Sequence, residues 1–448
     1  MPSPPTRAAI TPSPTTCRTG RNRRRSCRPP AGREAKAMSS AGRNRSIEAV
    51  VLFTAFIAST YGFGMYLFPA IVEAIRHDLP FTYDAMGVIS GCVQAGFMLC
   101  ALLSGLLTVR FGALPMILGS IAVCAACLGG LALVTDIVAM GVLLTILGGC
   151  AAAIWVPMVE VSSEIVPRSH QGKALGLMSS GTSYGVFVNG LLITGFLATE
   201  GWRFLWATTG AIVAVLALAG FLRLRRPAGT RPAAEAAQPR TSIGARLRTL
   251  PPGLTAAVLL MMFLNGLSSM PYQTYLSTFL QGEVGLSQDV AAMAWSVIGA
   301  VGMAGGFAIG ALADRITVRW AMVLTYLILA GSCVLLLQAA AGGGNLPILY
   351  LAVVAFGLAF YAIFGLVPAY IGHAFGAGRS ALVFAFGNIA LGFGGIVGNM
   401  AGGWLKVSTG SFQSIYLAML AAALCSALLA AVMPSERRFA VAVGGAGA

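Results

Sequence analysis

"GALADRITVRW", residues 310–320, sets Asp314, Arg315 and Arg319 close together in a chain that otherwise runs apolar on both sides. A fainter copy, "GLLTVRFGALP" at 105–115, puts Gly105, Leu107 and Arg110 where Gly310, Leu312 and Arg315 stand. The two hairpins lie 205 residues apart. A charged turn that recurs in so apolar a chain points to a duplicated unit.

Only 10% of the 448 residues are charged, 57% are apolar, and the mean hydropathy is +0.82. A soluble protein carries about a quarter charged residues, so this chain belongs in a bilayer. Twelve apolar runs are each long enough to cross one as a helix: 48–72, 84–107, 113–134, 137–160, 174–197, 203–222, 254–280, 289–312, 319–340, 346–371, 380–404 and 412–433. The alternating pattern of a membrane barrel strand is absent, which leaves helices.

The net charge of +15 suggests nucleic acid only until the charges are placed. With twelve spans both termini share one side. That side collects all but three of the 29 Lys and Arg residues; Arg76, Arg203 and Lys406 are the exceptions. The positive-inside rule therefore expects both ends in the cytoplasm. Seven of the nine cysteines fall within spans. "CAAC" at 124–127 sits mid-span without further ligands and reads as small packing residues, not a redox or zinc motif.

Residues 1–47, with "GRNRRRSCRPP" at 20–30, read as a disordered basic cytoplasmic segment without the apolar core of a cleavable signal. Anionic lipid is its expected neighbour, and Met38 is an alternative start. Residues 223–253, with seven arginines and five prolines, read as a cytoplasmic linker with a short amphipathic helix near 243–250. It joins a first six-helix half, 48–222, to a second, 254–434; residues 435–448 form a cytoplasmic tail.

The halves read as parallel copies. "GKALGLMSSG" at 172–181 falls on "GRSALVFAFG" at 378–387, and the first span starts as far before the seventh as the hairpins lie apart. Parallel repeats place a solute site near the midplane, between the halves. Apart from boundary residues, the intramembrane prolines are Pro69, Pro157, Pro271 and Pro368, one each in spans 1, 4, 7 and 10. Proline removes a backbone hydrogen bond and bends a helix, which suits paired gates at the outer and inner mouths. Every-fourth glycines mark the complementary set: Gly87 and Gly91 in span 2, Gly181 and Gly185 in span 5. Spans 8 and 11 carry Gly302, Gly306 and Gly310, and Gly394, Gly398 and Gly402. Smooth strips of this kind let backbones approach, and the reading makes them the seam along which the halves rock.

Over residues 48–434 the chain resembles the major facilitator superfamily of secondary transporters, and "GALADRITVRW" resembles that family's loop signature between helices 8 and 9. The resemblance implies an all-α polytopic membrane protein of 12 transmembrane helices in two parallel six-helix repeats. It also implies that Gly310, Asp314, Arg315 and Arg319 latch the cytoplasmic ends together in the outward-facing state. Gly105 and Arg110 do less, because Val109 replaces the expected Asp. Glu164 matches the acidic partner at the end of helix 4, and Glu160 lies one turn earlier on the same face. The family's antiporter signature in helix 5 needs a proline where "GTSYGVFVNG" has Val186, which weakens the case for an obligatory antiporter.

No Asp, Glu, Lys, Arg or His falls in the central third of any span. Carriers of anions or multivalent cations need a buried counter-charge there. The uncharged polar set is Tyr61, Tyr66, Gln94, Tyr184 and Asn189 in the first half. The second half adds Asn265, Tyr272, Gln273, Tyr361 and Asn388. Aromatic walls with a few amides suit a small neutral or weakly acidic organic solute. Proton coupling has only Glu73, Glu160 and Glu164 to run through.

The expected function is secondary active or facilitative transport by rocker-switch alternating access, as a symporter or uniporter. A transport-inactive sensor on the same fold is the alternative. No HExxH, GxSxG or GxxxxGK[ST] motif supports an intramembrane enzyme. No cofactor or metal is expected. The expected partners are a small-molecule solute and the lipid bilayer, without nucleic acid, and the expected state is a monomer. The excess of Arg over Lys and the abundance of Ala and Gly hint at a bacterial genome, and so at the inner membrane.

Overall fold

The computed structural model describes residues 40–166, 170–224, 250–376 and 379–435. The basic N-terminal arm up to residue 39, nearly all of the linker with its short amphipathic helix, and the tail beyond residue 435 lie outside the described residues. Chain contacts separate Met1–Asn44 from a second compact unit, Arg45–Ala448, which contains every helix discussed here beyond the first residues of α1.

Helix α1 runs from Ser40–Ile57 through a π-helical stretch, Ala58–Tyr66, into Leu67–Asp78. It is followed by α2 (Tyr83–Phe111), α3 (Ala113–Leu131) and α4 (Ile137–Ile165). Helix α5 is assembled from Gln171–Ser179, Gly181–Leu192 and a second π-helical stretch, Ile193–Leu197, and α6 covers Ala198–Leu224. The second set is α7 (Pro252–Gly282), α8 (Gln288–Ile316), α9 (Val318–Ala341), α10 (Leu346–Phe375), α11 (Ser380–Thr409) and α12 (Gln413–Val432).

Among the described residues, eleven helical stretches are long and apolar enough to span a bilayer. One of them, Lys173–Leu224, has 52 residues, or about 78 Å of helix at 1.5 Å per residue. That is roughly two bilayer cores. Gly201, with φ 79° and ψ 172°, breaks it. A side chain there would meet the strain of the left-handed region; glycine lets the chain turn between two crossings. Twelve crossings result.

Local chemistry fixes the helix starts. Asp136 Oδ1 accepts from the backbone N–H of Val138 and Ala139 at 3.0 and 2.8 Å, capping α4. Ser287, Thr317 and Asn345 cap α8, α9 and α10 in the same way. Each satisfies a donor that the first helical turn would leave unpaired.

Successive crossings alternate in direction, which puts Ser46 near the start of α1 and Pro434 just after α12 at the same end, the terminal end. At this terminal end Ser46 Oγ donates to the Ile165 carbonyl at 2.8 Å and the Tyr370 hydroxyl to that of Pro434 at 2.7 Å. At the far end Trp202 Nε1 donates to Asp78 at 2.8 Å and Lys406 pairs with Glu283 at 3.1 Å. Within each set of six the main packing partners are α2 with α4, α3 with α4 and α6, α7 with α11 and α12, α9 with α12, and α10 with α8 and α9. Across the sets three pairs dominate: α2 on α11, α5 on α8, and the Leu67–Asp78 segment of α1 on α7.

Candidate functional site

The two sets of helices meet tightly at the far end. Gly87 of α2 lies so close to α11 that a Cβ would stand 2.5 Å from the Asn399 carbonyl. Gly403 of α11 is equally tight against the Tyr83 carbonyl, and a Cβ on Gly91 would reach Met400 Cγ at 3.1 Å. On the other side, Gly190 of α5 leaves no room beside Ser296 and the Ala292 carbonyl of α8, and Gly299 none beside the Phe187 N–H. Lipid tails give apolar helices no reason to leave them, so such backbone approach is what holds membrane helices together.

A charged aromatic cluster covers this closed end. The Arg76 guanidinium, 3.3 Å from Glu73 and donating to the Phe81 carbonyl at 3.0 Å, stacks 3.8 Å from the Tyr83 ring. Tyr83 meets Phe412 of the second set edge-on at 5.1 Å. Lys406 lies 4.4 Å from the Phe412 ring and pairs with Glu283. Burial pushes the Glu283 carboxyl up, but the Phe412 N–H, the Ser411 hydroxyl and Lys406 outweigh it and hold the pKa below the usual carboxylate range. Two cation–π contacts and one ring-to-ring contact therefore span or flank the seam.

Toward the terminal end the seam loosens. Among the described residues, no atom of the first set lies within 4 Å of where a Cβ on Gly306 or Gly310 would stand. Phe307, between them, is 66% exposed, and a Cβ on Gly176 of the first set would stand 3.7 Å from its ring. The expected latch residues sit on this open end. Asp314 and Arg315 are exposed, and among the described residues neither forms an ion pair. Arg319 stays within its own set: Nη1 donates to the Met433 carbonyl at 3.0 Å, at the C-terminus of α12, and its guanidinium lies 4.9 Å from the Trp320 ring. A cation at a helix C-terminus offsets its unpaired carbonyls and dipole. Arg110 is exposed, 5.7 Å from the neighbouring Phe111 ring. Gly105 lies in α2 and Glu160 and Glu164 in α4, with their side chains outside the described residues. Glu73 is committed to Arg76 at the far end.

Where the seam changes from closed to open, a cavity lies between the sets. Met65, Tyr66, Phe68 and Pro69 of α1, Ser90, Val93 and Gln94 of α2, and Leu144 of α4 line one side. Met270, Gln273 and Thr274 of α7 and Asn399 of α11 line the other. Three expected pathway residues, Tyr66, Gln94 and Gln273, thus come together. Tyr361 joins the seam lower down, where it and Ser183 of α5 crowd over Gly302. Tyr61 packs edge-on against Phe97 at 6.0 Å, and Tyr184 is half-buried on α5.

The others lie elsewhere. Asn189 is fully buried and donates to the Gly62 carbonyl at 2.6 Å, tying α5 to the π-helical stretch of α1. Tyr272 is sealed inside the second set, stacked on Phe356 at 3.8 Å and bonded to Ser332 at 3.2 Å. Asn265 is buried on α7, one residue before a tight α7–α11 approach at Gly266. Asn388 is exposed and bonds to its own helix, at the Phe384 carbonyl. Sequence reasoning missed Ser90, Thr274 and Asn399. Ser90 stands one turn from Gln94, and Asn399 one turn from Gly402, so the α-helical repeat of the flagged residues was the available signal.

The hinges also differ from the proline pattern. Helices α4, α7 and α10 run on through Pro157, Pro271 and Pro368, with Pro271 packed onto Gly398. Only Pro69 adjoins a distortion. It cannot donate to the carbonyl of residue 65, and the wider π-helical turns of Ala58–Tyr66 lie directly before it. The π stretch in α5 contains no proline. The glycine strips divide as well: Gly181 and Gly185 face α1, Gly394 and Gly398 face α7, and Gly402 meets Tyr275 of its own set, while Gly87, Gly91 and Gly302 face the seam.

A family model for the Major Facilitator Superfamily matches residues 52–316 and 258–446. No curated protein matches the chain by sequence. Among solved structures, a bacterial homologue of the human lysosomal transporter Spinster, inward-facing and unoccupied, aligns with TM-score 0.65 at 14% identity, covering 90% of this chain and 96% of its own. The same homologue, inward-facing and occupied, aligns with TM-score 0.65 at 16% identity, covering 90% and 97%. At such identity the likeness is one of fold.

Proposed function

Because the chain belongs to the Major Facilitator Superfamily, we propose that it is a membrane transporter that moves a small neutral or weakly acidic organic solute by rocker-switch alternating access. The observation that carries this reading is the gradient along one seam. Backbone contacts and an aromatic cluster close the far end, the terminal end stands open, and a cavity with amide groups lies at the transition. The mechanism follows from that arrangement. A solute enters from the open end, reaches the cavity between the sets, and leaves when α2–α11 and α5–α8 part at the far end and close at the other.

Lys and Arg gather at the terminal end, which the positive-inside rule assigns to the cytoplasm. The state described is then inward-facing, and the far end is the outer gate. Arg76, Tyr83, Phe412, Lys406 and Glu283 form that gate, while Asp314 and Arg315 wait for partners they would meet only when the inner mouth closes. The reading keeps both termini in the cytoplasm of a bacterial cell and a single copy of the chain as the working unit. No Asp, Glu, Lys, Arg or His lines the cavity, so any proton coupling runs through groups at the mouths, as in a symporter driven from outside the site, or is absent, as in a uniporter.

Single cysteines at the two ends, labelled in proteoliposomes, test the reading. Transport requires that each end become accessible while the other is protected. A transport-inactive sensor, suggested by Val109 in the first hairpin, would show one fixed pattern and no solute flux.

A further inference from the structure

Gln273 lines the cavity with its amide unused in the helix packing. Gln273 is 2% exposed, and neither its amide nitrogen nor its amide oxygen has a hydrogen-bond partner. A carboxamide offers two N–H donors and a carbonyl acceptor, and leaving both ends dry and unmade is costly. Its neighbours are already committed: Thr274 donates to Asn399 Oδ1 at 3.0 Å, and the Asn399 carbonyl accepts from the Tyr275 hydroxyl. Across the seam Gln94 brings a second amide to the same cavity. Met270 and Gln94 both rest on Gly395, at 3.0 and 3.4 Å from where its Cβ would stand.

We propose that Gln273 is the recognition group of this cavity, and that it selects a neutral solute presenting a hydrogen-bond donor beside an acceptor, as a cyclic amide or imide does. Such an edge pairs with a carboxamide through two parallel bonds, satisfying both unpaired ends at once. The absence of any cation among the lining residues disfavours an ionised carboxylate, which would be buried without a counter-charge. Met65, Phe68, Val93 and Met270 supply apolar walls for the rest of the ring. The assignment rests on the reading of the cavity as the solute site, and it goes further by naming the functional group recognised.

The test uses the purified full-length chain with δ-valerolactam and glutarimide as probes, against their N-methyl counterparts, which lose the donor and keep the ring. Binding is read by thermal shift and by tryptophan fluorescence, since Trp295 lies 6.3 Å from the cavity-lining Tyr66 ring. N-methylation should weaken binding at least tenfold. Gln273→Met, which keeps the length and removes the amide, should abolish the response to the parent probes while leaving the unliganded melting temperature unchanged or raised. Equal binding of methylated and parent probes, a full response in Gln273→Met, or no response to any probe overturns the proposal. Cysteine accessibility at both ends is measured on the same preparations. Alternation without lactam selectivity sinks only the solute class; loss of alternation sinks the transport reading itself.

Discussion

The two ends of the seam are built from different materials. At the far end, small residues bring α2 against α11 and α5 against α8, and Tyr83 and Phe412 meet beneath two cations. At the terminal end, the charges that stand out in the sequence face solvent, and Arg319 serves the end of its own set. The conspicuous residues therefore belong to the end that is open in this state, and the end that is closed is held by glycines, rings and backbone carbonyls. In a bilayer this is expected. Helices there gain nothing from excluding water, so close packing and a few polar contacts decide which surfaces stay together.

Fixing the closed end should give the largest effect. With the native cysteines replaced, a Gly91→Cys, Met400→Cys pair should form a disulfide, since the native approach is 3.1 Å to Met400 Cγ and bridged Cβ atoms lie about 3.5–4.5 Å apart. Flux should fall on the order of a hundredfold and return with reductant, because a joined seam removes one of the two states that transport needs. Retained flux in the cross-linked protein would mean that the far end does not open during transport.

Spoiling the same seam comes next. Gly190→Val cannot fit beside Ser296 and the Ala292 carbonyl, whereas no described residue stands within 4 Å of where a Cβ on Gly310 would lie. The first substitution should cost roughly tenfold in flux and expose the far end to thiol reagents, by the scale of overpacking penalties of about 1–3 kcal/mol. Gly310→Ala should leave thermal stability within about 0.5 kcal/mol, as surface changes do. Similar effects from both would erase the contrast between the ends.

Removing the ring at the gate is a milder change. Tyr83→Ala deletes the Arg76 and Phe412 contacts, each worth about 0.5–1.5 kcal/mol. The population closed at the far end should drop by roughly five- to tenfold, read as faster labelling of a cysteine at that end.

The smallest effect concerns pH. The Glu283 pKa lies below its ordinary value in the folded protein. Its contribution is therefore present above the ordinary carboxylate range and is lost as the pH falls through the depressed value. Thermal stability should be flat near neutrality and decline in acid, and Glu283→Gln should flatten that decline. An unchanged acid limb in the variant would show that the bonds from Phe412, Ser411 and Lys406 do not stabilise the closed end.

The crossings, their order and the repeat were legible in the sequence because each depends on a local property: apolar length, charge placement, or residue spacing. The three cavity residues Tyr66, Gln94 and Gln273 were legible because a polar side chain deep in a membrane helix needs a purpose. That rule cannot say which purpose. Asn189 answers it by capping a carbonyl of the π-helical stretch, and Tyr272 by stacking inside its own set. Glycine spacing likewise marks a face for close approach without naming the partner, so Gly185 and Gly398 turned out to face helices of their own set. The π stretches carry no composition signal, and in α5 not even a proline. The gate was hidden for another reason: Tyr83 and Phe412 are ordinary helix-end aromatics more than three hundred residues apart, and only the fold puts them edge to face.

The most direct test of alternating closure is a pair of distance measurements by pulsed electron resonance in lipid bilayers. One spin-label pair, at His77 and Ser408, reports the far end; the other, at Lys173 and Ala311, reports the terminal end, and all four sites are exposed. The account predicts two populations at each end, with conditions that lengthen one distance shortening the other. A single fixed distance at the far end, or two distances that lengthen together, would contradict it.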